Sequence, residues 1–231
     1  GVGADDTSDA YSVTINTRAF NAAGDTNFLN KGTVTLGNEA ADVLTFTGGL
    51  ATTGNTSNPA TVNAAGTINT TDTRMDIGAV TLTAATTFDT GNAAAGILNI
   101  GAVTSQTNAL TLDSGSTALA TMGLTSMVDA SGGLTIRDSG GLATIGDIGS
   151  GTAGAVTITD STGGVTFNAN VDSTTFTIAK ALDAAVITFT GDTVDITTAF
   201  NPNIATGVGA DDTSDAYSVT INTRAFNAAG D

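Results

Sequence analysis

The densest acidic cluster of the chain is Gly3-Ala4-Asp5-Asp6-Thr7-Ser8-Asp9, which returns as Asp211, Asp212 and Asp215. Three carboxylates, two hydroxyls and the carbonyls of a turn are the donor set of a hard cation such as calcium, which takes about six to eight oxygens. The spacing fits neither a helix–loop–helix calcium loop nor the Gly-rich nonapeptide of calcium-binding β-rolls. Aspartate is also an ordinary turn residue, because its carboxylate accepts nearby backbone N–H groups. The expectation is a solvated turn and no metal site, with calcium at Asp5, Asp6 and Asp9 as the one cofactor the composition allows.

Carboxylates at short spacing, Asp5 with Asp6 or Asp192 with Asp195, are also the chemistry of glycoside hydrolysis, in which one group donates a proton and the other acts as base or nucleophile. The chain has no His and no Cys, so the usual proton shuttle and thiolate nucleophile are missing. The excess of acid would repel a polyanionic substrate. The chain is therefore expected not to be an enzyme and to carry no catalytic residues.

Thr-x-Thr units (Thr33/Thr35, Thr45/Thr47, Thr81/Thr83, Thr157/Thr159, Thr175/Thr177, Thr188/Thr190) resemble the threonine arrays of ice-binding solenoids. Their uneven spacing argues that they do not fall in register and that Thr simply fills the solvent side of strands. Two N-x-[ST] sequons, at Asn55 and Asn69, sit in polar sequence. They matter only if the source glycosylates such sites.

The elements that would position these residues belong to a repeat. Residues 1–25 recur without change as residues 207–231. The chain is thus read as one period of a tandem array, residues 1–206, followed by the start of the next, residues 207–231. The chain carries 22 acids against 6 bases, for a net charge of −16, and the acids are all Asp except Glu39. The duplicated end holds four Asp and one Arg, which leaves 18 acids and 5 bases, or −13, for each period. Lys31, Lys180, Arg18, Arg74 and Arg137 are scattered singly, so nucleic acid and anionic membranes are not expected partners. No apolar run reaches the roughly 20 residues of a membrane span, so membrane insertion is not expected either.

Period-two apolar pairs recur along the chain: Val13/Ile15, Val34/Leu36, Leu44/Phe46, Val80/Leu82, Leu98/Ile100, Leu110/Leu112, Leu134/Ile136, Val156/Ile158, Val165/Phe167, Phe176/Ile178, Ile187/Phe189 and Val194/Ile196. Each pair puts two side chains on one face of a short strand. Thr is the usual residue between them, and Gly-rich corners such as Gly48-Gly49 and Gly163-Gly164 follow. Only Ala181–Ala185 suggests a helical turn. Steps near ten or near twenty residues between pairs predict an all-β fold. The expected form is a parallel β-solenoid with two to three strands in a coil of roughly 20 residues and about ten coils per period. That places Val13 and Val219 in equivalent positions about 48 Å apart along the axis. Tandem β-sandwich domains are the alternative.

Runs such as GTVTLGNEAADVLTFTGGLATTG (32–54), GAVTLTAATTFDTGNAAAGILNIGAV (78–103) and GAVTITDSTGGVTFNANVDSTTFTI (154–178) resemble the large bacterial β-strand-repeat surface proteins, the filamentous-haemagglutinin-like and autotransporter-like adhesins. The resemblance implies secretion, a fibrous right-handed parallel β-helix and a place at the cell surface, and it supplies no functional residues. The functional expectation is a structural building block of an extracellular bacterial filament, sheath or surface layer. The alternative is the stalk of a giant adhesin mediating attachment or biofilm formation. Its expected partners are copies of itself end to end, with neighbouring filaments or cell-surface polysaccharide as further candidates.

Overall fold

The computed structural model describes residues 10–54, 57–179, 185–201 and 218–229. These residues are almost all strand. The first part of the chain forms β1 (Val13–Ile15), β2 (Ala19–Ala22), β3 (Thr26–Asn27), β4 (Thr33–Leu36), β5 (Val43–Phe46), β6 (Leu50–Ala51) and β7 (Thr61–Thr70). It continues with β8 (Met75–Ile77), β9 (Val80–Asp89), β10 (Leu98–Thr104), β11 (Leu110–Asp113), β12 (Met122–Val128), β13 (Leu134–Asp138) and β14 (Ala143–Ser150). The last part forms β15 (Gly154–Ile158), β16 (Val165–Phe167), β17 (Val171–Ile178), β18 (Val186–Phe189), β19 (Thr193–Asn201), β20 (Ser218–Ile221) and β21 (Ala225–Ala228). Among the described residues, a single 3₁₀ turn at Ala130–Gly132 is the only helical element. Residues 181–184 of the suggested helical turn lie outside the described residues.

All the strand pairs are parallel, and each joins a strand to one about a turn further along the chain. The registers resolve into three faces visited in order, as in a triangular coil. Face 1 stacks Val13, Val34, Val62, Val80, Val103, Met127, Ile148, Val171 and Val194. Face 2 stacks Phe20, Leu44, Ile68, Phe88, Leu112, Ile136, Ile158 and Ile178. Face 3 stacks Leu50, Met75, Leu98, Met122, Ala143, Val165, Ile187 and Val219. The longer strands β7, β9, β10, β12, β14, β17 and β19 bend round a corner and serve two faces.

The expected β-solenoid is therefore the fold, and the sandwich alternative is not. The coil count differs from the expected ten. Successive Val positions on face 1 are separated by as few as 18 residues (Val62 to Val80) and as many as 28 (Val34 to Val62), because every coil has three sides and a variable corner. Counting the registers from β1 on face 1 to β20 on face 3 gives eight turns and two-thirds. Val13 and Val219 consequently lie on different faces, and the axial separation falls from the expected 48 Å to about 42 Å at 4.8 Å per turn.

The alternating pattern explains the core. The inward members of every expected pair from Val34/Leu36 to Val194/Ile196 are buried, while Thr between them faces outward and stays half-buried. At the corner between faces 2 and 3, the interior turns polar. Thr90 donates from Oγ1 to the Gly96 carbonyl (2.6 Å), Ser114 from Oγ to the Ala120 carbonyl (3.0 Å), and the Ser139 and Ser161 hydroxyls bond each other at 2.9 Å. Thr90 and Ser114 thus satisfy corner carbonyls that a buried aliphatic residue would leave unpaired, and Ser161 accepts the Gly164 N–H at 3.1 Å.

Candidate functional surfaces

The outward residues of each strand lie directly above and below their counterparts in neighbouring coils, so the surface consists of ladders. On face 2, Thr67, Thr87, Thr111, Thr135, Thr157 and Thr177 occupy consecutive coils in register. Of the Thr-x-Thr units, only those of Thr157 and Thr177 stack on one another; the others fall on different faces or on non-adjacent coils, as their uneven spacing suggests. The ladder is built mostly from threonines outside those units, aligned by hydrogen-bonded pairing. A water-ordering array needs a second parallel Thr row. The neighbouring row here is instead Asn69, Asp89 and Asp113, closed by the Arg137 guanidinium.

Arg137 binds Asp113 through Nε and reaches Asp89, two coils below, through Nη2 at 2.7 Å. Partial burial works against its charge, but the hydrogen bonds and charges of Asp113 and Asp89 outweigh that, and its pKa is raised. This clip neutralises two stacked carboxylates that would otherwise repel at coil spacing. Arg74 pairs with the single carboxylate of Asp76, whose Oδ1 also accepts from Asn99 Nδ2 at 2.8 Å.

Among the described residues no such cation sits on Asp172, which stacks directly on Asp195 on face 1. Desolvation first, and then the charges of Asp195 and Asp147, lift the Asp172 carboxyl above the usual carboxylate range. A raised pKa means that the folded state binds the proton more tightly. The group's contribution is therefore full below its unfolded pKa and lost as pH rises through the folded value, which makes the charged form a cost at neutral pH. Asp172→Asn is accordingly expected to raise the melting midpoint at pH 7 by roughly one or two degrees, small because the site is largely solvated. The gain should disappear near pH 3, and melting curves at the two pH values check it.

Asp192 and Asp195 do not form a facing pair. Asp192 lies exposed at a corner, 3.5 Å from Arg224, while Asp195 stands on the face in the Asp172 ladder. Asp5, Asp6 and Asp9, with their repeats Asp211, Asp212 and Asp215, lie outside the described residues, as do Asn55 and Lys180. Asn69 of the other sequon is half-buried within β7. Among the described residues, no group of three or more Asp or Glu is placed to hold a metal ion, and no helix is long and apolar enough to cross a membrane.

Face 3 carries a shallow depression of about 450 Å³ lined by Asn99, Thr125, Thr144 and Asn168, with Gly123 and Gly146 in its floor. The bare Gly123 position between Asn99 and Thr144 leaves the hollow, and its rim offers only neutral hydrogen-bonding groups. Such a surface can meet water or a hydroxylated polymer, but it has no group that could move a proton at neutral pH. The ladders themselves were not legible as ladders in the sequence, since register is a property of the stacked coils.

Comparison with protein-family models, with curated proteins and with solved structures finds no match.

Proposed function

We propose that the chain is a structural building block of an extracellular filament, sheath or surface layer, built by stacking copies of its repeat end to end. The observation that supports this reading is that residues recurring at an offset of 206 lie at opposite ends of one continuous stack. Among the described residues, the first copy is paired to the coil that follows it and the second to the coil that precedes it. A solenoid extends at an open edge without changing its core, because each coil contacts mainly its neighbours. The acidic surface, clipped locally by single arginines, keeps such rods from adhering side by side.

Antibody raised to residues 57–179 and imaged by electron microscopy on the producing cells tests the proposal. Continuous label along threads or a sheath outside the cell is the expected result. Label confined to the cell interior contradicts it. Label on isolated, radially projecting fibres with a different tip replaces it with the adhesin stalk.

A further inference from the structure

The described parts of the two copies, residues 12–23 and 218–229, fold alike but stand on different faces. Strands β1 and β2 have their counterparts in β20 and β21 at an offset of 206, apart from one residue at the start of β20. The turn between them is also the same: Thr17 donates to the Ala19 carbonyl at 3.2 Å and Thr223 to the Ala225 carbonyl at 3.1 Å. Yet β1 and β2 begin faces 1 and 2, whereas β20 lies on face 3 above β18 and β21 on face 1 above β19.

The bonds made by the two copies are complementary. In the second copy, the N–H groups of Ser218, Asn222, Ala225 and Ala229 donate to the preceding coil, at Ala185, Phe189, Asp192 and Ile196. In the first, the carbonyls of Ile15, Arg18 and Ala22 accept from the following coil, at Gly37, Val43 and Thr47. These carbonyls correspond to those of Ile221, Arg224 and Ala228, so no backbone group is claimed twice. The side chains agree. Arg18 meets Glu39 of the following coil at 3.7 Å, and its counterpart Arg224 meets Asp192 of the preceding coil at 3.5 Å. The Phe20 ring lies 5.4 Å from Phe46, and its counterpart Phe226 lies 5.4 Å from Phe200 and 6.3 Å from Phe189.

We infer that this segment is a joining coil whose open edge takes a further copy of the same 206-residue repeat, and that each further copy begins two-thirds of a turn out of phase with the one before. One segment then carries the β18–β19 coil on one edge and the β4–β5 coil on the other, with an arginine between Asp192 and Glu39 and an aromatic column running through the joint. Three copies make 26 turns and return to the starting face after about 125 Å. The Thr67–Thr177 ladder of successive copies is thereby presented on all three sides of the rod in rotation. The inference rests on the filament reading only in requiring that further copies follow the first.

The test is a chain lengthened by one more 206-residue period, in which engineered cysteines are the only thiols because the sequence has none. Neighbouring parallel strands are about 4.8 Å apart, within disulfide reach. Under mild oxidation, Thr188→Cys with Thr220→Cys is expected to close nearly completely, as is Thr220→Cys with the Thr35→Cys change placed in the second period. Asp195→Cys with Thr220→Cys, the pair that whole-turn phasing would bring together, is expected to remain reduced. Closure of the Asp195 pair in place of the Thr188 pair overturns the phase. Failure of the second-period Thr35 pair overturns the joining coil. Either result leaves cell-surface labelling to judge the filament separately, and absence of labelled threads with the expected crosslinks removes the filament reading alone.

Discussion

Replacing Phe189 by alanine is expected to destabilise the protein by about 3–5 kcal/mol, the range for deleting a fully buried aromatic ring. The ring is completely buried and stacks on Phe167 at 5.2 Å with 15° between the planes, while Phe176 meets it edge-on at 5.2 Å and Phe200 and Phe226 lie within 6.4 Å. Five rings from three successive coils share this column, so the cavity cannot be filled by one neighbour shifting. Because coils in a solenoid depend chiefly on their neighbours, the loss should be local as well as large. Amide hydrogen exchange should show protection falling over β16 to β21 while β4 to β9 change little. Uniform loss across the chain, or a cost below about 1 kcal/mol, would show that the aromatic column does not hold these coils.

The second large effect is expected at Gly149, where alanine should cost about 2–4 kcal/mol. Register shifts by one residue between β12 and β14: Met127 pairs with Ile148, but Val128 pairs with Ser150, which leaves Gly149 as the extra residue of a bulge. Its φ is +85°, and a Cβ built there would lie 2.1 Å from the Asp172 carbonyl oxygen of the following coil. That oxygen is fixed by the inter-coil ladder, so relief requires the coils to part. Equilibrium denaturation of Gly149→Ala checks the magnitude, and Gly24→Ala, where nothing lies within 4 Å of the added methyl, serves as the neutral comparison.

How much of this was written visibly in the chain follows from range. The apolar pairs are local, and period two alone assigned Leu44/Phe46 and Ile187/Phe189 to strands with both side chains inward. The pairs that were overlooked, such as Val62/Ala64 and Met122/Leu124, contain Ala or Met, which lack the β-branched signature of a strand. The number of sides per coil was not local. A corner can hold two residues, as between β8 and β9, or eight, as between β9 and β10, without disturbing pairing, so the spacing of strands in sequence overestimated the number of turns. The ladders depend on the same non-local register. Thr87 and Thr111 are unremarkable in sequence and meet only because Phe88 stacks on Leu112 beside them. The acidic clip was equally hidden: Arg137 reaches back 48 residues to Asp89, a separation that has meaning only once two turns of coil are counted.

A segment occurring twice sits at the two ends of one parallel stack of strands. Spin labels on cysteines placed at Thr14 and Thr220, the same position of the two copies, measure this arrangement in the intact chain by pulsed dipolar spectroscopy. Eight turns and two-thirds give an axial rise of about 42 Å, and because the two strands stand on different faces the labels are expected roughly 45–50 Å apart with a narrow distribution. A distance under about 25 Å would place the identical strands beside each other, and one beyond roughly 60 Å would separate them into successive domains; either would contradict a continuous solenoid.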